Sequence, residues 1–425
     1  MVYAVYIIFL IIFIRNVLTK ESLVGVCICS CILLPAINGI DAANFVFVAM
    51  ALLTGVTIIK ERIIKTNRQI VYYLLAYSVI IAIQFFSWII KNPNDLSLEL
   101  RSSFAALKYP FIVFFLFGYE CRVEHPYELK RLTNSIEIIN MCNLIACIAQ
   151  KIMKAGALKY FGNWYSYSQT YIAEITRAGR YYRAYGTWET AMSLGIYCLI
   201  AISVLIYIEH SEQKKVRYMT DIVCCVVLGI LSLTKTFFIG IVIIIVYEIV
   251  LAFVDRYKSG KVTVATIRNG VITFASIIFL VAGFQGVYKW SEKGWSHLHY
   301  YLGYVLHPFS AFSSRLSSTG SLVGSLEIIR NNLLIGVGSV PMNGELIGDN
   351  VYIVLLHAGG ICALLIFLLL YGGWIVKCVV RANYDMVLVL VIFLLCGFSL
   401  PVGWAYKICV IPCILYLIIE GRELE

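Results

Sequence analysis

The chain has 425 residues, 61% of them hydrophobic and 14% charged, with a formal net charge of +10. Soluble domains carry about 25% charged residues, so this composition excludes a freely soluble fold. The positive charges sit in short gaps between apolar runs and form no basic tract, which argues against a nucleic-acid partner and for a membrane.

The apolar runs predict an all-α polytopic helical bundle of about thirteen transmembrane spans (eleven to fourteen), one membrane domain covering 1–425. In chain order the spans are 3–14, 22–37, 43–59, 70–90, 103–118, 132–150, 188–208, 219–232, 237–254, 269–288, 351–374, 385–400 and 403–419. Runs of this kind approach the length needed to cross ~30 Å of hydrocarbon, and lipid leaves no alternative to the helix for their backbone groups. The first run is followed by Arg15 and by no small-residue cleavage site, so it reads as a span and not as a removed signal. Most of the 14 cysteines lie inside these runs. Cys27, Cys29 and Cys31 are spaced so that a helix scatters their thiols, which makes them small apolar residues and not metal ligands. No structural disulfide is expected in the polar loops.

Charge sets the expected orientation. The gaps 15–21, 60–69, 119–131, 209–218, 255–268, 375–384 and 420–425 hold 19 Lys and Arg together, against three in 38–42, 91–102, 233–236 and 401–402. Cytoplasmic loops carry that excess, so the N-terminus is expected outside and the C-terminus inside. Two long segments, 151–187 and 289–350, then fall on the outer side, and loops of that length between spans are usually functional. The second holds an amphipathic helix: Leu322, Leu326, Ile329 and Leu333 form its apolar stripe, Ser317 to Thr319 can cap it, and Gly336 stands where it would stop.

Three places carry candidate chemistry. In 177–190, "RAGRYYRAYGTWET", Arg177, Arg180 and Arg183 recur every three residues before a span; guanidinium forks suit a phosphate partner, and a basic patch touching lipid headgroups fits the spacing equally. Lys235 lies in the tight turn 234–238, where it either snorkels to water or meets an anion; Lys108 and Lys407 lie just inside the outer ends of their spans. The stretch 315–372 begins at Arg315 and reaches Asp349-Asn350 at the head of a span. Asp349 reads as a helix N-cap, as a reactive carboxylate, or as both, and Glu189 reads the same way. His297, His299 and His307 share a loop, but their spacing and the lack of further ligands argue against a metal. There is no P-loop, no dinucleotide fingerprint and no Gly-x-Ser-x-Gly, so no cofactor is expected.

At these residues the sequence resembles the bacterial O-antigen polymerase and O-antigen ligase superfamily. The resemblance rests on the span layout and on three patches: "RAYGTWETAMSLGIY" (183–197), "LSLTKTFFIGIVIIIVYEIV" (231–250) and, most of all, 327–373. In the last, Asn332, Gly336, Gly338, Asn350, Tyr352 and Gly359 or Gly360 take the family's positions, with Leu333 where Pro is common. Ligases of the superfamily typically have His-Asn where this chain has Asp349-Asn350, which favours a polymerase. The strict Arg-(ten residues)-Gly motif of some polymerases is absent: eleven residues separate Arg183 from Gly195, and eight separate Arg315 from Gly324.

The resemblance implies a Wzy-type polymerase in the bacterial inner membrane. It would transfer a growing glycan from undecaprenyl pyrophosphate to a sugar hydroxyl of another lipid-linked repeat unit at the periplasmic face. The expected partners are that lipid-linked oligosaccharide, membrane lipid and a chain-length regulator. Arg177, Arg180, Arg183, Arg315 and Lys235 are the expected cations for the departing diphosphate. Asp349 and then Glu189 are expected as the base. Trp164, Tyr165, Trp290 and Trp295 would stack on sugar, with Gly336, Gly338, Asn350 and Tyr352 on the substrate side. A ligase with the same donor, a flippase of the lipid-linked unit, and a nonenzymatic scaffold remain the rival readings.

Overall fold

A computed structural model describes residues 2–37, 40–61, 67–91, 96–121, 129–212, 218–258, 283, 285–292, 299, 302–303, 306, 323–339, 350–400 and 407–422. These form an all-α bundle with no strand among them, apart from an isolated bridge between Ile37 and Ile40. In chain order the helices are α1 (Val2–Leu18), α2 (Val24–Leu33), α3 (Ala42–Glu61), α4 (Arg68–Lys91), α5 (Leu96–Glu120), α6 (Leu129–Met153), α7 (Leu158–Trp164), α8 (Gln169–Ala178), α9 (Ala191–Glu212), α10 (Met219–Ser232), α11 (Lys235–Lys258), α12 (Val323–Asn331), α13 (Val351–Val380), α14 (Tyr384–Cys396) and α15 (Val410–Arg422).

Among the described residues seven helices are long and apolar enough to cross a membrane: α3, α4, α5, α6 running on into α7, α9, α11 and α13. That is fewer than the thirteen spans expected. Several apolar runs form helices that stop early, and hydropathy does not register the stops. α2 ends at Leu33 because Pro35 forces the preceding backbone out of the helical region, and Leu34 is extended at φ −69°, ψ 133°. α10 ends where Leu233 takes the left-handed conformation, φ 50°. The expected span 269–288 lies almost wholly outside the described residues.

α9 is the axis of the bundle. Of its most apolar stretch 94% is buried, against 17% for α11, so α9 is surrounded by protein while α11 keeps an Ile- and Val-rich flank outward. Helices in lipid gain little from hiding apolar surface, so they associate through close packing of small residues. Gly195 of α9 lies where a Cβ would stand 2.6 Å from Ser232 and Thr234, and Gly240 of α11 lies where one would stand 2.2 Å from Leu199. α9 packs on α10, α11 and α14, α13 lies between α4 and α14, and α5 touches α3, α4 and α15.

Polar contacts sort the bundle into two ends. One holds Asp41, Glu99, the 179–190 segment, the α10–α11 turn and the α14 exit. The other holds Leu23 N–H on Glu120 at 2.7 Å, Arg131 with Glu21 at 3.5 Å, His210 with Asp385 at 2.8 Å, and Glu420 with both Lys377 and Arg381.

Candidate functional site

The 179–190 segment is held as a wedge on top of α6. α8, capped by Ser168, stops at Gly179, whose φ of 68° suits glycine. The chain beyond has no helical hydrogen bonds, and two α6 side chains replace them. Gln150 Oε1 accepts from Tyr185 N–H (3.2 Å) and Gly186 N–H (3.1 Å), and its Nε2 donates to the Gly186 carbonyl (3.0 Å) and to the Tyr167 hydroxyl (2.7 Å). Asn143 Oδ1 accepts from Thr187 N–H at 2.9 Å and from its hydroxyl at 3.2 Å. All of these groups are buried, so each amide left unpaired would cost about 1–3 kcal/mol. Gly186 is required here: its φ is 58°, and a Cβ would stand 2.2 Å from Asn143 Oδ1.

The wedge delivers Arg183 to the α10–α11 turn. Arg183 Nε donates to the Ser232 carbonyl at 2.9 Å and Nη2 to Thr234 Oγ at 3.4 Å, while Ala184 N–H donates to the Leu231 carbonyl at 2.9 Å. Lys235 is the next residue of that turn. Two cations therefore meet at one loop, each half-buried. Arg177 and Arg180 stand apart from it, exposed at the end of α8, where Arg180 lies over the Tyr182 ring at 4.7 Å. The three-residue spacing thus yields one arginine in the bundle and two at its rim.

Five residues further along the wedge, Trp188 and Glu189 face a second group of charges. Asp41, at the head of α3, accepts from Ala43 N–H at 3.2 Å through Oδ1. Its Oδ2 accepts from Lys108 Nζ and from Tyr109 OH, both at 3.0 Å. Lys407 lies in the short 3-10 turn Lys407–Cys409 before α15, with Nζ 5.2 Å from the centre of the Trp188 ring. Both lysines are more than nine-tenths buried.

The two carboxylates are driven in opposite directions. Burial alone would raise Asp41, but Lys108 and Lys407, with the hydrogen bonds from Lys108 and Ala43, outweigh it and hold the carboxyl below the usual range. For Glu189 burial wins: its carboxyl is raised, and Asp41 pushes the same way against Lys407 and Lys108. Neighbouring carboxyls with separated affinities for the proton are a common basis for acid–base chemistry. Asp41 and Tyr109 do not stand out in the sequence, since Asp41 meets Lys108 across 67 residues.

The segments 333–339 and 350–362 build a broken helix. α13 is N-capped by Asn350, whose Oδ1 accepts from Tyr352 N–H (2.9 Å) and Ile353 N–H (3.3 Å). The Tyr352 hydroxyl donates to the Leu394 carbonyl at 2.7 Å. At Gly360 the helix breaks, φ 65° and ψ −164°. The backbone groups released there pair with the segment arriving from α12. Val337 and Gly338 N–H donate to the His357 and Ala358 carbonyls at 2.8 and 2.9 Å, and Ile361 N–H donates to the Leu333 carbonyl at 2.8 Å. Gly336 and Gly338 permit this approach; a Cβ on the first would stand 2.5 Å from the His357 carbonyl and on the second 2.7 Å from Trp88. Buried Glu99 closes the segment, accepting from Ser339 N–H at 3.1 Å and Ser339 Oγ at 2.8 Å. Asn350, Tyr352, Gly336 and Gly338 thus have evident architectural tasks.

Of the remaining expected residues, Trp164 ends α7 and packs against Tyr160 and Phe161, and its carbonyl accepts from Ala36 N–H at 2.6 Å. Trp290 is exposed at the end of a helical stretch over 285–291. His299 stacks on Tyr288 at 4.1 Å. Arg315, Asp349, Trp295, His297 and His307 lie outside the described residues.

Comparison with family models, curated proteins and solved structures gives no match for this chain. This end of the bundle holds two half-buried cations, Arg183 and Lys235, at one turn and two buried lysines, Lys108 and Lys407, beside a carboxyl raised by burial.

Proposed function

We propose that the protein is a membrane glycosyltransferase of the polysaccharide-polymerase type, acting on lipid-diphosphate-linked oligosaccharides at the bundle end that carries Arg183. On this reading Arg183, Lys235 and Lys407 stabilise the leaving diphosphate and Glu189 takes the acceptor proton, with Arg315 and Asp349 as further members of the site. The acceptor hydroxyl oxygen attacks the anomeric carbon, the bond from that carbon to the phosphate oxygen breaks, and the diphosphate departs with the electron pair. Cleavage of the glycosyl–diphosphate bond drives the reaction, so no nucleotide is required. In sequence the reading draws on the resemblance to the O-antigen polymerase and ligase superfamily, which also suggests a bacterial inner membrane with this end facing the periplasm.

The observation that supports it most is that one short wedge carries both Arg183, which meets Lys235 at the α10–α11 turn, and Glu189, which meets the buried Lys407 and Lys108. Donors fixed in advance toward developing charge are the largest single source of rate in such reactions, and removing one costs about 10²–10³-fold. Purified protein given lipid-linked repeat units should extend them, and Arg183→Ala should lower the rate by about 10²-fold with insertion and yield unchanged. Polymer formed at the normal rate by Arg183→Ala would sink the assignment.

The broken α13 favours a second reading, a transporter or flippase of the same lipid-linked unit, because discontinuous helices line substrate paths in many carriers. Cells lacking the gene separate the two. A lost polymerase leaves a single repeat unit at the surface, a lost ligase leaves none attached, and a lost flippase strands units on the inner leaflet.

A further inference from the structure

At the end of the bundle opposite the Arg183 wedge, a cleft of about 390 Å³ opens between α1, α2 and α6. Its size falls in the ~300–1,000 Å³ range of small-molecule sites. Its character changes along its length. Phe9, Ile12, Val26 and Ile138 supply most of the apolar wall, which also holds Ser30, and Asn16, Ser22, Arg131 and Asn134 supply most of the polar one. Helix geometry makes this a gradient. Asn16 lies one turn beyond Ile12 on α1, and Arg131 lies two turns before Ile138 on α6, so the polar groups stand roughly 5–10 Å along the helices from the apolar ones.

The cleft opens sideways. Ile12 and Ile138 are 41% and 51% exposed on the apolar flank of the bundle, so what enters comes from the hydrocarbon. The polar mouth is positive: Asn16 and Arg131 are flanked in sequence by Arg15 and Lys130, with Lys20 in the α1–α2 connection, against Glu21, Glu137 and the buried Glu120, which holds the Leu23 N–H. Arg131 meets Glu21 at 3.5 Å with both side chains about a third exposed, a loose pair that a phosphate can replace with bidentate hydrogen bonds.

We propose that this cleft binds an anionic phospholipid, with an acyl chain between α1 and α6 and the headgroup phosphate at Arg131. The occupant is an amphiphile because the cavity is one, and anionic because its mouth carries more cations than acids. The inference stands independently of the catalytic reading.

The test reconstitutes the full chain into phosphatidylcholine vesicles containing a trace of spin-labelled phosphatidylglycerol or spin-labelled phosphatidylcholine, and reads the motionally restricted fraction. The wild type should retain phosphatidylglycerol about fivefold more strongly, the order of one partly exposed ion pair. Arg131→Gln should remove that preference. Val26→Phe, which fills the apolar wall and leaves the polar mouth intact, should release the bound lipid of either kind. Equal retention of the two lipids by the wild type overturns the proposal and needs no variant. So does undiminished phosphatidylglycerol retention by Val26→Phe that elutes as a single species on gel filtration.

Discussion

Glu189 and Asp41 form the most informative pair of residues at the candidate site. A base acts only when deprotonated, and burial raises Glu189, so activity should fall with acidification at a pH above the ordinary carboxylate value of ~4.3. Glu189→Gln should abolish that limb along with most of the turnover. Asp41 is one of the groups that raise Glu189. Asp41→Asn removes its negative charge and leaves Lys108 unneutralised, and both changes favour the Glu189 carboxylate. The acid limb of the pH–rate profile should therefore move to lower pH in Asp41→Asn, measurable as initial rate against pH; a shift the other way would break the proposed coupling. Arg183, Lys235, Lys108, Lys407 and Glu189 were legible in the sequence because a charge against an apolar background is conspicuous. Asp41 was not, because it looks like an ordinary helix-start residue until α5 brings Lys108 beside it. The spacing of Arg177, Arg180 and Arg183 hid their different fates, which depend on Gln150 and Asn143 folding the chain back onto α10.

Among the elements, α13 separates what hydropathy reports from what the backbone does. The run 351–374 reads as one continuous span, and its apolar character is genuine. The break at Gly360 leaves no trace in hydropathy, because it is a matter of φ and ψ and of a partner strand of chain that arrives from residue 333. Gly360→Ala should be strongly destabilising. The left-handed conformation alone costs about 1–3 kcal/mol in a non-glycine residue, and the new Cβ would stand 2.3 Å from the Leu334 backbone. Gly372→Ala, two residues before Trp374 with nothing within 4 Å of its Cβ, is the matched control and should change little. Thermal unfolding of both variants in detergent checks the contrast; comparable midpoints would mean that the break is dispensable. α12 (Val323–Asn331) carries Leu326 and the buried Ile329 of the expected stripe, while Leu333 lies beyond its end, Leu322 lies outside the described residues, and Gly336 follows at φ 68°.

At the scale of the whole molecule, the all-α membrane bundle was readable from composition, and the number of spans was not. Length in apolar residues counts runs, whereas a typical crossing takes about 20 residues of unbroken helix; α2, α10 and α14 are shorter than that, although each runs from one polar end of the bundle to the other. The bundle's two polar ends nevertheless give the sidedness a sharp test. Reporter fusions placed after Ala178 and after Ser232 should report the same compartment, and a fusion after Glu212 the opposite one. Opposite results for the first two would separate Arg183 from Lys235 and end the catalytic proposal.

Gln150 and Asn143 are seven residues apart on α6, two helical turns, and both grip the wedge from one face. That makes α6 a ruler and a rotary index at once. A single residue inserted between them would turn one grip by about 100° and raise it by about 1.5 Å relative to the other. The reach of Arg183 toward the α10–α11 turn is thus set by the pitch of a neighbouring rod, and an insertion of one amino acid there should disable the protein more thoroughly than exchanging any lipid-facing side chain of the same helix.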